Sequence, residues 1–214
     1  MRYSAVPLHF DVDLVVRLPS ALRAAEWCSA SASLAQAPNM FWNRKTKNLL
    51  SRLDAWLREH RADYYPKLNP PATADQLSAL EAEIGGSLPR DFRALLLWKN
   101  GQRADDYSTF HPLTNEMFVS SDEMIGTMRD MKELVRCGDI DAASWGNMWL
   151  PFMDNGGGER SCLDVKTGAV LVREKSQAVF RTHDTFEHWL TELVEELSKN
   201  DFSKWDIVEC RRAV

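Results

Sequence analysis

The order of patterns in this chain predicts an α+β fold: a curved antiparallel sheet, built as a meander, with helices packed mainly on one side and an N-terminal strand and helix as an extension. Three observations carry that expectation. The middle of the chain holds apolar stripes at three-to-four spacing, two of them opened by a Thr or Ser followed three residues later by Gln or Glu. The C-terminal third changes to short extended runs separated by Gly-containing turns, too closely spaced for crossover connections. A last amphipathic helix then closes the domain.

Taken in order, Phe10, Val12, Leu14, Val16 and Leu18 recur with a period of two and predict a strand ending at Pro19, with a helix over Ala21 to Trp27. Ser29 to Asn39 is small, polar and linker-like, so residues 1–40 are set apart as the extension, 41–200 as the main domain and 201–214 as a tail. From Lys47, the residues Leu49, Leu50, Leu53, Trp56 and Leu57 line one helical face that fades near His60, and the Pro-rich YYPKLNPPAT is a connection. Thr73 and Gln76 form a capping box for a helix carrying Leu77, Leu80 and Ile84, stopped by Gly85-Gly86. Pro89 suits a first helical turn, where its missing N–H is no loss, and Asp91 complements the helix dipole. Phe92, Leu95, Leu96 and Trp98 supply the buried side, with Asn100-Gly101 as a left-handed stop. Ser120 and Glu123 repeat the capping box before Met124, Ile125, Met128, Met131, Leu134 and Val135, a helix ending near Cys137-Gly138.

Trp149 to Phe152 is then a strand, Asn155 to Gly158 a turn with several positions able to take positive φ, and Ser161 to Val165 the returning strand. Lys166-Thr167-Gly168 turns the chain into Val170 to Val172, and Ala178 to Phe180 follows, giving three or four antiparallel strands. Phe186, Trp189, Leu190, Leu193, Val194 and Leu197 hold the stripe of the closing helix, with Asp184 or Thr185 as cap and Asn200 as its end.

Composition narrows the function. Hydrophobic and charged contents of 44% and 27% are those of a folded globular chain. Cys28, Cys137, Cys162 and Cys210 are scattered, without a C-x-x-C pair or a histidine at ligand spacing, so reduced thiols are expected in place of a disulfide framework or zinc site. No apolar run is long enough for a signal core or a membrane span, which points to the cytoplasm. Charge is uneven. Residues 1–70 hold ten Lys and Arg against six acids, whereas residues 101–165 hold twelve acids against five bases. Such a segment repels phosphate backbones, so nucleic acid is not an expected partner, and it favours a cationic protein.

The catalytic readings are weak. Asp154 to Glu159 lacks the alternating ligands of a calcium loop and the Gly-Lys-Ser/Thr of a phosphate loop, and a hairpin turn explains it. Lys166-Thr167-Gly168 matches one serine-lactamase signature, but no S-x-x-K supplies a nucleophile. His183 and His188, five apart, fall on different faces if both are helical; His60 and His111 read as capping or surface residues. Cys162 lies in an extended run with no histidine tied to it. No catalytic residue, metal or cofactor is therefore expected. Trp56, Trp98 and Trp189 sit on apolar helical faces and read as core, whereas Trp145, in a turn region, could anchor a partner if exposed.

The succession PPAT, LEAEIG, LPRDFRALLLWKNG, WLPF with its Asn-Gly-Gly-Gly turn, CLD and TFEHWL resembles the SUKH superfamily, of the SMI/KNR type, over roughly Trp42 to Leu197. The resemblance implies an α+β fold of a curved antiparallel sheet flanked by helices. It also implies a binding role: bacterial proteins of this kind mostly neutralise the toxin domain of a polymorphic or contact-delivered toxin, often a nuclease or deaminase, and fungal ones act as scaffolds. The expected function is that of an immunity protein occluding the cleft of a cognate, basic toxin domain, with a regulatory scaffold as the alternative. The candidate contact residues are Asp105, Asp106, Asp122, Glu123, Trp145, Asp154 and Glu159.

Overall fold

Local side-chain capping marks where four of the five described helices begin. A computed structural model describes residues 43–112 and 114–199. The expected N-terminal strand and helix, Cys28, Cys210, Asn200 and the tail lie outside the described residues. Helix α1 (Arg44–His60) starts three residues before the expected Lys47, because Asn43 Oδ1 accepts the Lys45 N–H. The capping boxes at Thr73/Gln76 and Ser120/Glu123 form reciprocally and open α2 (Ala74–Ile84) and α4 (Ser121–Cys137); Gly85 and Gly138 end them in the left-handed conformation. Between them, α3 (Arg90–Trp98) begins directly after Pro89. Thr185 caps the closing helix α5 (Phe186–Lys199), its Oγ1 accepting from the His188 N–H.

The expectation of an α+β fold is met by these five helices and an open five-stranded antiparallel sheet. Strands β2 (Trp149–Asp154), β3 (Arg160–Asp164), β4 (Val170–Arg173) and β5 (Val179–His183) follow one another as a meander. A two-residue strand, β1 (Met117–Phe118), which no periodicity announces, pairs with β2 from the other side of α4 in sequence. A bulge between Pro151 and Met153 interrupts the β2–β3 register. Phe152 is the residue left out of the pairing, and its side chain, like that of Leu150, is buried. Phe152 there packs edge-on against Phe92, Phe186 and Trp189, with ring centroids 4.8–5.7 Å apart.

The segment after α3 departs from the expected stop. The helix ends at Lys99, which is extended, and the left-handed Gly101 comes two residues later. Asn100 and Gln102 flank it, both buried, and spend their side chains on long-range bonds. Asn100 Oδ1 accepts from the Ser121 N–H at the start of α4. Gln102 Oε1 accepts from the Tyr64 hydroxyl at 2.7 Å and the Phe118 N–H at 3.1 Å, while its Nε2 donates to the carbonyls of Asp106 and Ser108. The amide is fully used in a place water does not reach, the condition under which a buried polar network adds specificity.

Gly101 matters for space as well as φ. A Cβ there would fall 2.4 Å from the Ser120 nitrogen, whereas one at Gly85, at nearly the same φ, meets nothing. Gly101→Ala is therefore expected to lower unfolding free energy in urea by about 2–4 kcal/mol and Gly85→Ala by only about 1 kcal/mol. Gln102→Leu, which strands the Tyr64 hydroxyl and the Phe118 N–H together, is expected to cost about 3 kcal/mol or more in the same assay.

Candidate functional site

Two recesses flank the sheet, and four of the candidate acids line one or the other. The first is a groove between α4 and the β2–β3 hairpin. Glu123, Thr127 and Asp130 recur one helical turn apart and form its α4 wall, with Asp154, Gly156 and Arg160 opposite, enclosing about 420 Å³. A narrow extension adds Arg103, Asp106 and Tyr107. Asp154 pairs with Arg160 at 3.0 Å, and Asp106 with Lys67 at 3.2 Å. Burial pushes the Asp106 carboxyl up, but bonds from Ser108 and Lys67 outweigh it and hold the group below its ordinary range. Glu123 serves the α4 capping box, accepting from the Ser120 N–H and hydroxyl.

Of the seven candidates, the fold brings Asp106, Glu123 and Asp154 to this groove. Asp105 lies on an exposed loop beside Arg103, and Asp122 turns toward α2, accepting from Gln76 Nε2 at 3.1 Å. Glu159 lines the other recess. Trp145 is a correction. It is only 5% exposed and packs edge-on against Trp149 inside the core, because the 3-10 turn at Ala142–Ser144 folds its ring inward. Asp130 was not a candidate, although its i+7 spacing from Glu123 on a capped helix was a readable signal.

The second recess, about 200 Å³, lies between α5 and the sheet face carrying Ser161 and Val172. Glu116, 3% exposed, projects into it and accepts from Ser161 Oγ at 2.6 Å and Thr114 Oγ1 at 2.7 Å. Burial raises its pKa, and these two bonds only partly offset that. Burial, with Glu192 nearby, also raises Glu196. His111, expected at the surface, is instead buried here, 3.9 Å from Glu196, and burial lowers it to about 4. His183 Nε2 lies 3.0 Å from Glu192. The His183 and His188 rings meet at 5.3 Å, against the expectation of divergent faces, because His183 ends β5 while His188 stands on α5.

Chemically, this recess is a carboxylate-rich hydrogen-bonded lining. Ser161 Oγ is committed as a donor to Glu116, and no histidine is bonded to it or to Cys162 among the described residues. Cys162, fully buried on β3, is pushed up to about 12 by its surroundings, burial first, and stays a thiol. Among the described residues, no three His, Cys, Asp or Glu side chains are grouped to hold a metal ion. No helix among them is long and apolar enough to cross a membrane.

The SMI1/KNR4 family (SUKH-1) model matches residues 71–192, and the chain belongs to that family. A relative in Bacillus subtilis (strain 168), described as "SPbeta prophage-derived uncharacterized protein YokK", is 22% identical over 169 residues, covering 68% of this chain and 86% of the relative.

Burial of His111 sets a pH dependence. Above pH 6.5 the ring is neutral in folded and unfolded chains alike; as pH falls from 6.5 toward about 4 only the unfolded chain takes up the proton, so stability is lost across that window. Glu116, raised in the fold, acts in the opposite sense above its ordinary range, losing stability as pH rises through its folded pKa. The difference between wild type and His111→Gln isolates the histidine. It is expected to change by up to about 3 kcal/mol between pH 6.5 and 4 in urea titrations, with the variant showing the shallower loss.

Proposed function

We propose that this chain is an immunity protein that binds a cognate toxin domain, a basic nuclease or deaminase, and neutralises it by occluding its active cleft. The observation that carries the reading is membership of the SMI1/KNR4 family, with which toxin partners are associated. Toxins that act on nucleic acid present cationic clefts, and an acidic counter-surface both accelerates encounter and fixes register. The groove wall formed by Glu123 and Asp130, continued by Asp154 and Asp106, is the surface this reading assigns to the contact.

Co-expression with the product of the adjacent open reading frame tests the role directly. A stable complex together with protection of the host supports it; absence of both overturns it, and recovery of several unrelated clients in place of one toxin would favour a regulatory scaffold. The surface is tested separately. Glu123→Gln keeps the capping box, since Gln serves it equally well, and Asp130→Asn is conservative in shape. The double variant is expected to weaken the complex about tenfold at low salt with unfolding unchanged, and to flatten the salt dependence of the association rate.

A further inference from the structure

The α4 groove continues past Arg160 into a chamber of different character. It encloses about 290 Å³ and is lined by Arg160, Arg173, Lys175, Thr127 and Gly158, with Asp130 on the α4 wall and the apolar Met131 and Leu134 at its end. Arg160 and Arg173 are directly opposed across the β3–β4 ladder, a placement in which like charges are destabilising. Asp154 stands 3.0 Å from Arg160 Nε as an ion pair, although that N–H is not aligned on the oxygen as a hydrogen bond. Nothing comparable serves Arg173. It is 5% exposed, its Nε has no hydrogen-bond partner, and among the described residues no carboxylate pairs with it. Burial, with Arg160 nearby, lowers its pKa, as expected for a guanidinium left without a counter-charge.

A buried guanidinium nitrogen without an acceptor is costly, and a second arginine opposed to it across the ladder adds to the cost. Lys175 adds a third cation whose stem lies close against Gly158: a Cβ on that glycine would come within 3.4 Å of Lys175 Cβ and Cγ. Three cations thus line one space, Arg160 among them already paired with Asp154, and Asp130 is the one acid in that lining. We propose that Arg173, Arg160 and Lys175, with the Thr127 hydroxyl as a further donor, form a binding pocket for a small oxyanion, a phosphate or a carboxylate. The planar fork of arginine matches both groups, and an anion seated there relieves the Arg160–Arg173 opposition and supplies the missing acceptor. The pocket shares Arg160 and Thr127 with the groove, but Arg173 and Lys175 belong to it alone, and its anion binding is independent of whether the chain binds a toxin.

The test uses the full chain with inorganic phosphate and acetate as probes, each against chloride at matched ionic strength, read by isothermal calorimetry and by thermal unfolding. Saturable binding of phosphate or acetate is expected, and the stronger of the two names the source. Arg173→Met and Lys175→Gln should each weaken that binding about tenfold or more, the loss expected for one charge-assisted hydrogen bond. Lys175 is exposed, so its variant keeps the test decisive if Arg173→Met folds poorly. Failure of both anions to bind wild type saturably, or binding unchanged in the variants, overturns the proposal whatever the outcome of the toxin experiments.

Discussion

The structure depends on one buried polar junction, the Asn100-Gly101-Gln102 segment. Its three residues bring together parts of the chain that share no periodicity: the connection before α2, strand β1, the Asp106–Ser108 loop and the first turn of α4. The Gln102 amide satisfies four groups at once, and the Asn100 carboxamide holds the start of α4. Gly101 is there because backbone approaches backbone: Ser120 lies where any side chain would be. Removing a member leaves donors and acceptors stranded away from water.

Helix α4 transmits that junction to the surface. One face, Met124, Met128 and Met131, enters the core, while Glu123, Thr127 and Asp130 form the wall of the groove. A helix anchored at its N-terminus by a capping box and by Asn100, and in the core by methionines, holds its outward residues in a fixed register. The groove therefore has an acidic end near the junction and a basic end beyond Arg160, two regions of opposite character on one rigid support. Rigid placement of this kind lets charge act on specificity and encounter more than on bulk affinity.

How much was legible depended on whether the signal was local. Capping boxes, apolar stripes and turn glycines are written within a few residues, so all five described helices and four of the five strands could be read directly. The two-residue β1 could not, since Met117-Phe118 carries no period. The excess of acid between residues 101 and 165 was legible as composition, but the fold pairs Asp106 with Lys67 and Asp154 with Arg160 and turns Asp122 toward α2. Trp145 showed the same limit: a turn in sequence does not say on which side of the backbone the ring will lie.

The sequence by itself determined the class of fold, the places of the five described helices and the order of the four meander strands, because those follow from hydrogen-bonding and hydrophobic preferences acting over one or two turns of chain. It also carried the family pattern. Only the tertiary structure decided that the β2–β3 register shifts at Phe152, that His111 and Glu116 share a buried recess, and that Arg173 faces Arg160 without a counter-charge among the described residues. Those outcomes are set by which distant residues meet, and the meeting is governed by strand register and helix packing, which no short window of sequence contains.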